Sequence, residues 1–381
     1  MIDEKQFNDL TNISGSNLLS IYITTYRANH SQEDQIRYKN ALKNAHEQLL
    51  KAGMDDQEAG KYLHTARELL KQERFWSYLS DGLAVFVGPD DFFHYEILPI
   101  TFDTYVSRGE QFHLSPMLPV LGGSSRFFLL ALSQNEVRFF EGDQYSITPV
   151  KIEDLVPTGG MEEAFVLSDS PDALQHHSGG SSGGKNAIYH GQGIGQDDKK
   201  KDIEAYFREV DKGLMKMLYD EKPPMVVACV DYLMPIYKSV NEYNNLFSEN
   251  ISGNPEQVGP AMLHEKAWSI ISQHFEQQQA EDIKRFHEAM SNNQASAAPQ
   301  QIVPAAAYEK VDTLFLKKGA HLMGQFDYDK NEITLNQRND NRDLLDLAAV
   351  QTHLNGGRVY WLDAEEMPVP TASANAIYRF E

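Results

Sequence analysis

The organisation of this chain is decided by the stretch SGGSSGGKNAIYHGQGIGQDD, residues 178–198. Its first seven residues are glycine and serine, which cannot bury apolar surface and have high backbone entropy. We therefore expect a flexible tether leading to the Gly-Gln tip of the segment HGQG, residues 190–193. A mobile loop that presents this tip at the start of a helix is the central feature that the sequence predicts.

A long amphipathic helix is predicted directly after the loop. Its apolar residues recur at steps of three and four, which places them on one helix face. They are Ile203, Phe207, Val210, Leu214 and Leu218. Asp197 or Asp198 is the predicted N-cap, so the helix should begin just beyond Gln196. Glu204 and Arg208 are spaced for an i,i+4 ion pair.

Two nucleotide-binding motifs fit this region poorly. Residues 179–185 have the spacing G-x-x-x-x-G-K of a phosphate-binding loop, but Asn186 stands where Ser or Thr would bind magnesium. The predicted helix also begins too late for that motif. The glycines of residues 191–195 have the wrong last interval for a dinucleotide-binding loop. Neither phosphate-binding function is favoured, and no cofactor is expected.

Three histidines of the same region are candidate metal ligands. They are His176, His177 and His190. No cysteine or carboxylate accompanies them at the spacing that zinc sites use, so solvated loop histidines are the better interpretation. The sequence therefore predicts no metal.

Length and composition indicate a globular protein with two or three domains, because 381 residues with 41% hydrophobic content can form more than one core. The single cysteine, Cys229, excludes an intrachain disulfide and fits a reducing compartment. No secretory pattern and no run of about 18 apolar residues is present. We expect a soluble, cytoplasmic protein that does not enter a membrane.

The net charge of −21 argues against indiscriminate binding to nucleic acid phosphates, including DNA. Local basic patches remain compatible with RNA. Such a patch is predicted on the helix of residues 32–52, where Arg37, Lys39 and Lys43 follow Arg27. A solvated helix face is the favoured explanation of this strip, and an RNA phosphate contact is the alternative.

The predicted N-terminal domain, residues 1–122, is an α/β unit. Its elements are a strand at 18–24, helices at 32–52 and 56–72, and strands at 82–87 and 92–98. The inner side of the first helix should contain Ile36, Leu42, Leu49 and Leu50.

The predicted middle domain, residues 123–259, is an α+β unit. A hairpin of strands 126–132 and 136–140 turns at Gln134, a third strand covers 145–150, and the strand 225–230 should lie beside the hairpin. This pattern is compatible with a ribonuclease H-like fold. Asp231 is the one obvious acid at a strand end, and one acid cannot hold the two metal ions of a nuclease.

The predicted C-terminal domain, residues 260–381, is a third α/β unit. It contains a helix at 261–290, a polar linker at 291–299, a strand at 311–316, a hairpin around 329–331, a helix at 343–354 and a strand at 358–362. Gly356 and Gly357 are suited to end that last helix.

The order of these units resembles the archaeo-eukaryotic class I release factors and their relative Pelota, and most closely the bacterial branch of that superfamily. The supporting stretches cover nearly the whole chain. They are residues 18–26, 75–86, FHLSP at 112–116, DLVP at 154–157, HGQG at 190–193, DLLDLAA at 343–349, GGRV at 356–359 and AIYRF at 376–380. The resemblance implies a decoding-site N domain, a ribonuclease H-like middle domain and an L7Ae-like C-terminal domain.

The same resemblance bears on chemistry. Release factors of this superfamily carry Gly-Gly-Gln at the loop tip, where the glycines let the backbone approach a peptidyl-tRNA ester and the Gln positions water. Here His190 replaces the first glycine if Gly191 and Gln192 align, with Gly193 following, and Ile194 replaces it if Gly195-Gln196 aligns. The stop-codon motif Asn-Ile-Lys-Ser is missing from the N domain.

Two functions follow from these expectations, and the sequence leaves the question of enzyme activity open. The favoured one is a factor that occupies the A site of stalled or idle ribosomes, for hibernation or rescue, in contact with ribosomal RNA. The alternative is a rescue enzyme that hydrolyses peptidyl-tRNA through His190, Gly191, Gln192 and Gly193. The resemblance also leaves a translational GTPase open as a partner.

Overall fold

The computed structural model describes residues 3–27, 31–121, 124–167, 194–219, 221–335 and 342–380. The chain forms two compact units. Unit 1 combines residues 1–125 with residues 274–381, and unit 2 consists of residues 126–273. The first boundary of unit 2 lies close to the boundary that the sequence predicts at residue 122. The division into three domains stays a prediction.

The N-terminal part of unit 1 is an antiparallel sheet with helices. Its elements are α1 (Glu4–Thr11), β1 (Ser14–Thr24), α2 (Ser31–Lys51), α3 (Asp56–Tyr62), α4 (His64–Glu68), α5 (Glu73–Trp76), β2 (Gly82–Val87), β3 (Phe93–Leu98) and β4 (Tyr105–Gln111). The strand order is β3-β2-β1-β4, with every neighbouring pair antiparallel. Because β1 is central and nearly continuously apolar from Leu18, it is buried on both faces.

The inner face of α2 differs from the predicted one. Leu42 and Leu49 are buried, but Ile36 is 59% exposed and Leu50 is 38% exposed, so the prediction for these two was wrong. The buried stripe instead begins at Tyr38, whose hydroxyl donates to the Ala66 carbonyl at 3.0 Å. Ile36 is two positions from Tyr38, about 200° around the helix, and therefore faces away from the core.

The single helix predicted over residues 56–72 is also wrong. The segment is divided into α3, α4 and a short 3-10 helix at Leu69–Lys71, with a break at Leu63. Leu63, Ala66 and Leu69 are all buried. They are separated by steps of three, which a straight helix of 3.6 residues per turn would rotate away from one face. The break keeps all three in the core.

Unit 2 contains a mixed five-stranded sheet. Its elements are β5 (Phe127–Leu132), β6 (Val137–Gly142), β7 (Ile147–Val150), α6 (Met161–Leu167), α7 (Ile194–Leu218), β8 (Met225–Cys229), α8 (Met234–Val240), β9 (Leu246–Ser252) and the first half of α9 (Pro260–Met290). The strand order is β7-β6-β5-β8-β9. The pairs β7-β6 and β6-β5 are antiparallel, whereas β5-β8 and β8-β9 are parallel. The predicted hairpin and its neighbouring strand are confirmed.

Helix α7 packs on this sheet through the predicted apolar face. Its five predicted core residues are all buried, and Arg208 Nη2 lies 2.9 Å from Glu204 Oε1 as the spacing predicted. The predicted start was wrong, because the helix already begins at Ile194. Asp197 and Asp198 therefore lie inside the helix and not at its N-cap. A first turn tolerates Gly195 because its N–H groups have no intrahelical acceptor.

The C-terminal part of unit 1 contains the second half of α9 and two further sheets. Its elements are β10 (Ala295–Ser296), α10 (Pro299–Ala307), β11 (Val311–Lys317), β12 (Met323–Asp327), β13 (Glu332–Leu335), β14 (Arg342–Asp343), α11 (Leu344–Leu354), β15 (Arg358–Leu362) and β16 (Ala374–Tyr378). One sheet has the order β10-β16-β11-β15 and the other β13-β12-β14. The predicted hairpin, the helix α11 and the strand β15 are confirmed, and Gly356 follows α11 with φ of +68°.

The predicted polar linker at 291–299 is wrong in its centre. Ala295 and Ser296 are buried and pair with β16. The Ser296 hydroxyl donates to Gln301 Oε1 at 2.6 Å and accepts from the Ala298 N–H at 3.0 Å. These hydrogen bonds satisfy a polar side chain inside the sheet, which composition alone does not reveal.

The close approach of residues 155–156 to Gly213 in α7 can be tested by substitution. Gly213 lies inside α7, where a methyl group would overlap the Leu155 carbonyl oxygen and lie 2.5 Å from Val156 Cγ1. We expect Gly213→Ala to lower the free energy of unfolding by about 1–3 kcal/mol, measured by urea denaturation. Gly60→Ala in α3 is the matched control, since its nearest neighbour lies 3.8 Å away. The control should be stabilised by up to about 1 kcal/mol. Stabilisation of both variants would contradict the close approach.

Candidate functional site

The predicted loop tip lies outside the described residues. This applies to His190, Gly191, Gln192 and Gly193. The described chain resumes at Ile194 as helix, so the second alignment of the triplet, Ile194 to Gln196, falls on helical backbone. A helical first turn is not a loop tip, so the alignment through Gly195-Gln196 is not favoured, and the alignment through Gln192 stays a prediction.

A depression of about 1000 Å³ with a mixed polar and apolar lining lies near the point where the described chain resumes at Ile194. Its lining includes Gln134, Lys199, Lys200, Asp202, Glu204 and Tyr232. The Gln134 side-chain amide donates to the Tyr232 hydroxyl at 2.6 Å, and Tyr232 is 57% exposed. Lys199 and Lys200 are exposed. Two ammonium groups beside an aromatic ring are suited to contact RNA phosphate and a base.

The residues of this depression were missed by the sequence-based site prediction. The run Lys199-Lys200-Lys201 was visible in the sequence next to the loop. Tyr232 and Gln134 gave no such signal, because they come from the turns after β8 and β5 and meet only in the folded unit.

Two of the four residues in the predicted basic strip, Arg27 and Arg37, pair with carboxylates of the protein. Arg37 Nη1 lies 2.6 Å from Asp34 Oδ1, and the Asp34 side chain is 1% exposed. The same nitrogen is 3.4 Å from the Thr24 carbonyl, and the guanidinium lies 4.8 Å from the Tyr26 ring centroid. Arg37 therefore holds the start of α2 against the end of β1, and its charge is largely neutralised.

The other three residues of the strip differ in exposure and pairing. Arg27 forms a bidentate hydrogen bond with Asp81 at 2.7 and 3.1 Å. Lys43 is 78% exposed and lies 3.9 Å from Glu47, a distance at which solvent weakens the pair. Lys39 is exposed and forms no ion pair with any described residue. Lys39 and Lys43 share one face of α2 and are the most available cations of the strip.

A second polar cluster lies in unit 1, where the stretch FHLSP (112–116) meets DLLDLAA (343–349). We call it the Asp346 joint. Asp346 Oδ1 accepts the N–H of Leu114 at 2.9 Å and that of Ser115 at 2.7 Å. The Asp346 side chain is 1% exposed. One buried carboxylate therefore connects two of the stretches that carry the family resemblance.

Two histidines and a second carboxylate lie beside the joint. His113 Nδ1 is 3.4 Å from Asp346 Oδ1, and His321 Nδ1 is 2.7 Å from Asp343 Oδ2. The Tyr105 ring stacks on His321 with centroids 4.6 Å apart. The hydrogen bond to Asp343 raises the pKa of His321 above its ordinary value. Burial alone would raise the pKa of Asp343, but the hydrogen bond from His321 and the nearby His113 lower it. Both shifts favour the ion-paired form.

Nuclease chemistry gains no support in the part of the chain that the structure describes. Asp231 is exposed after β8 and, among the described residues, belongs to no group of three metal-ligating side chains. The one such group among the described residues is formed by His113, His321 and Asp343. Within the same described ranges, no helix has the length and apolar composition needed to cross a lipid bilayer.

The sequence of unit 2 is similar to a known protein family. Residues 127–273, nearly all of that unit, match the model of bacterial archaeo-eukaryotic release factor family 7. The resemblance to the bacterial branch of the superfamily, recognised from the sequence, is therefore confirmed. No curated protein sequence matches the chain significantly.

Solved structures of the wider superfamily are also similar to the chain. The archaeal translation termination factor aRF1 is 13% identical, with a TM-score of 0.25, over 100% of this chain and 99% of that one. Pelota from Archaeoglobus fulgidus is 12% identical, with a TM-score of 0.28, over 78% and 80%. Ribosome-bound archaeal Pelota, in a model with ABCE1, is 10% identical, with a TM-score of 0.35, over 100% and 96%. Scores of this size do not define a shared fold.

The pairing of Arg37 predicts a structural effect of its removal. Arg37→Ala leaves the buried Asp34 carboxylate without its charged partner and should lower the free energy of unfolding by about 1–3 kcal/mol. Lys39→Ala, on the same helix, should change it by less than about 0.5 kcal/mol. Urea denaturation of both variants measures the difference. Equal stability of the two would show that Arg37 is not committed to the fold.

Proposed function

We propose that this protein is a release-factor-like protein that binds ribosomes and occupies the A site when they are stalled or idle, without catalysing a reaction. The observation that carries the proposal is the match of residues 127–273 to a bacterial release factor family. Members of a superfamily named for termination are expected to act on ribosomes, and ribosomal RNA is the proposed binding surface.

The proposed architecture follows the superfamily. Residues 1–122 would act as a decoding-site-like domain, residues 123–259 as a ribonuclease H-like domain, and residues 260–381 as an L7Ae-like domain. The order β7-β6-β5-β8-β9, with three antiparallel strands followed by two parallel ones, supports the assignment of the middle domain. The assignment of the C-terminal domain rests on the resemblance alone.

Occupancy without chemistry is favoured by the loop sequence. His190 stands where the hydrolytic triplet has glycine, next to Gly191 and Gln192. A Cβ and an imidazole at that position restrict the backbone conformations open to glycine and add bulk where RNA crowds the approach. Hydrolysis of peptidyl-tRNA by Gln192 is the alternative function.

Binding to the ribosome needs local positive charge, because the chain as a whole carries −21. The proposed RNA contacts of the N-terminal part are Arg27, Arg37, Lys39 and Lys43, of which the two lysines are the least neutralised. Lys199 and Lys200 are further proposed RNA contacts beside the predicted loop, in a lining that also contains Asp202 and Glu204. Separate patches on an acidic body favour a shaped RNA surface over free nucleic acid, and we propose no role for DNA or membranes.

The proposed setting is the cytoplasm, where ribosomes work. A translational GTPase is a further proposed partner. It would deliver the protein to the A site. Dom34 of S. cerevisiae, a translation termination-like factor, is described as interacting with Hbs1, which is a statement about that protein and identifies no partner here.

Charge reversal on α2 tests the proposed RNA surface. Lys43→Glu should raise the dissociation constant for ribosomes about threefold to tenfold and lower the salt slope of binding by roughly 1. The matched control is Lys284→Glu. Lys284 is 80% exposed and lies 4.0 Å from Glu288 at i,i+4, whereas Lys43 is 78% exposed and lies 3.9 Å from Glu47. Co-sedimentation at several salt concentrations measures both variants.

Two results of that experiment would contradict the proposal. One is equal loss of binding in both variants, which would indicate a general charge effect. The other is parent protein that sediments with free tRNA or duplex RNA as strongly as with ribosomes, because the acidic surface should disfavour both of those ligands.

Peptide release separates occupancy from hydrolysis. Ribosomes carrying a labelled peptidyl-tRNA are incubated with the parent protein and with Gln192→Ala. We expect both to bind and neither to release peptide above the buffer rate, since one side chain contributes little to a large interface. Release by the parent that Gln192→Ala abolishes would establish the hydrolytic function instead.

A further inference from the structure

Three side chains from distant parts of unit 1 converge beside the Asp346 joint. They are His113, which follows β4, His321, in the turn before β12, and Asp343, which ends β14 and caps α11. One potential ligand atom from each lies within 4.8 Å of the other two. We propose that His113, His321 and Asp343 form a binding site for a divalent transition-metal ion of the zinc type.

The donor set fits that class of metal. Imidazole nitrogen and carboxylate oxygen are ordinary zinc ligands, whereas calcium and magnesium prefer oxygen alone. Zinc bonds of about 2.0–2.1 Å in tetrahedral geometry place ligand atoms roughly 3.3 Å apart. The potential ligand atoms in unit 1 lie within 4.8 Å of one another, so a bound metal would draw them closer together. Three protein ligands leave a fourth position for water.

Groups around the cluster orient its histidines as outer-shell partners do in metal sites. Asp346 Oδ1 lies 3.4 Å from His113 Nδ1, which leaves Nε2 of that ring for a metal. The Tyr105 ring stacks on His321 with an interplanar angle of 5°. Asp343 Oδ1 accepts the N–H groups of Leu322 and Leu345, both at 3.0 Å, so its Oδ2 is the oxygen available to a ligand.

The exposure of the three side chains leaves a route by which a metal ion can enter the site. His113 and Asp343 are buried, whereas the His321 side chain is 40% exposed and provides an entry path. His321 Nδ1 and Asp343 Oδ2 are joined by a hydrogen bond of 2.7 Å. A metal that binds both groups displaces the proton between them, so binding releases protons and weakens as the pH falls.

A bound metal would have a structural consequence. It would link residue 113, in the N-terminal part of unit 1, to residues 321 and 343 in the C-terminal part. A ligand that binds the folded state alone stabilises it in proportion to the logarithm of its concentration over its dissociation constant. A bound metal would therefore add a second connection between the N-terminal and C-terminal parts of unit 1, beside the Asp346 joint. This proposal does not depend on ribosome binding.

The test uses the full-length protein, stripped with EDTA and dialysed, and titrated with ZnCl₂ by calorimetry. We expect one tight zinc per chain and a rise in melting temperature. His321→Ala should weaken binding at least tenfold. The matched control is His94→Ala, since His94 is 30% exposed and bonded to Glu96 at 2.9 Å but belongs to no three-ligand group among the described residues. This control should bind zinc as the parent does.

Asp343→Asn provides a second variant that keeps the fold. Its amide oxygen can still accept the N–H groups of Leu322 and Leu345, but a neutral amide is a poor zinc ligand. Zinc binding should again weaken at least tenfold, with an unchanged circular dichroism spectrum. Parent protein that binds no zinc, or variants of His321 and Asp343 that bind it as tightly as the parent, would overturn the proposal.

Discussion

The fold of unit 1 depends on the buried carboxylate of Asp346. It accepts two backbone N–H groups at the start of the 3-10 helix Ser115–Val120, and Arg342 lies 3.7 Å from its second oxygen. A buried charge is costly unless it is paired and hydrogen-bonded, and here it has both kinds of partner. Because the two N–H donors lie more than two hundred residues earlier in the chain, this one group joins the N-terminal and C-terminal parts of unit 1.

Unit 2 depends on a different constraint, the close packing of α7 on the mixed sheet. Five apolar residues spaced along the helix are buried, and Gly213 allows the Leu155 carbonyl and the Val156 side chain to approach. This packing holds α7 on the sheet from Ile203 onward. Lys199 and Lys200, in the preceding turn, line the same depression as Tyr232.

Local patterns in the sequence were sufficient for most regular elements. The apolar runs of β1, β5 and β8 and the periodic face of α7 are strong local signals. The exposure of Ile36, the break at Leu63 and the burial of Ser296 were missed, since each depends on which tertiary neighbours accept the side chain. The identity of those neighbours is set by the fold and cannot be read from local sequence.

In the candidate site, too, linear patterns were predictable and contacts between distant residues were not. The segment HGQG and the basic strip were found as linear patterns, but the pairing of Arg37 with the buried Asp34 reduces what that strip can offer to RNA. The group of His113, His321 and Asp343 has no linear signature, because its members come from three separated segments. Neither linear spacing nor composition predicts such a cluster.

Charge distribution connects these features to function. An acidic chain with exposed basic groups on α2 and at the start of α7 should bind an RNA surface of defined shape, and the ribosome is the surface that we propose. Chemical footprinting of ribosomal RNA with the parent protein bound tests this most directly. The account predicts protection of A-site nucleotides at both the decoding centre and the peptidyl-transferase centre. Protection elsewhere, with both A-site regions fully reactive, would contradict it.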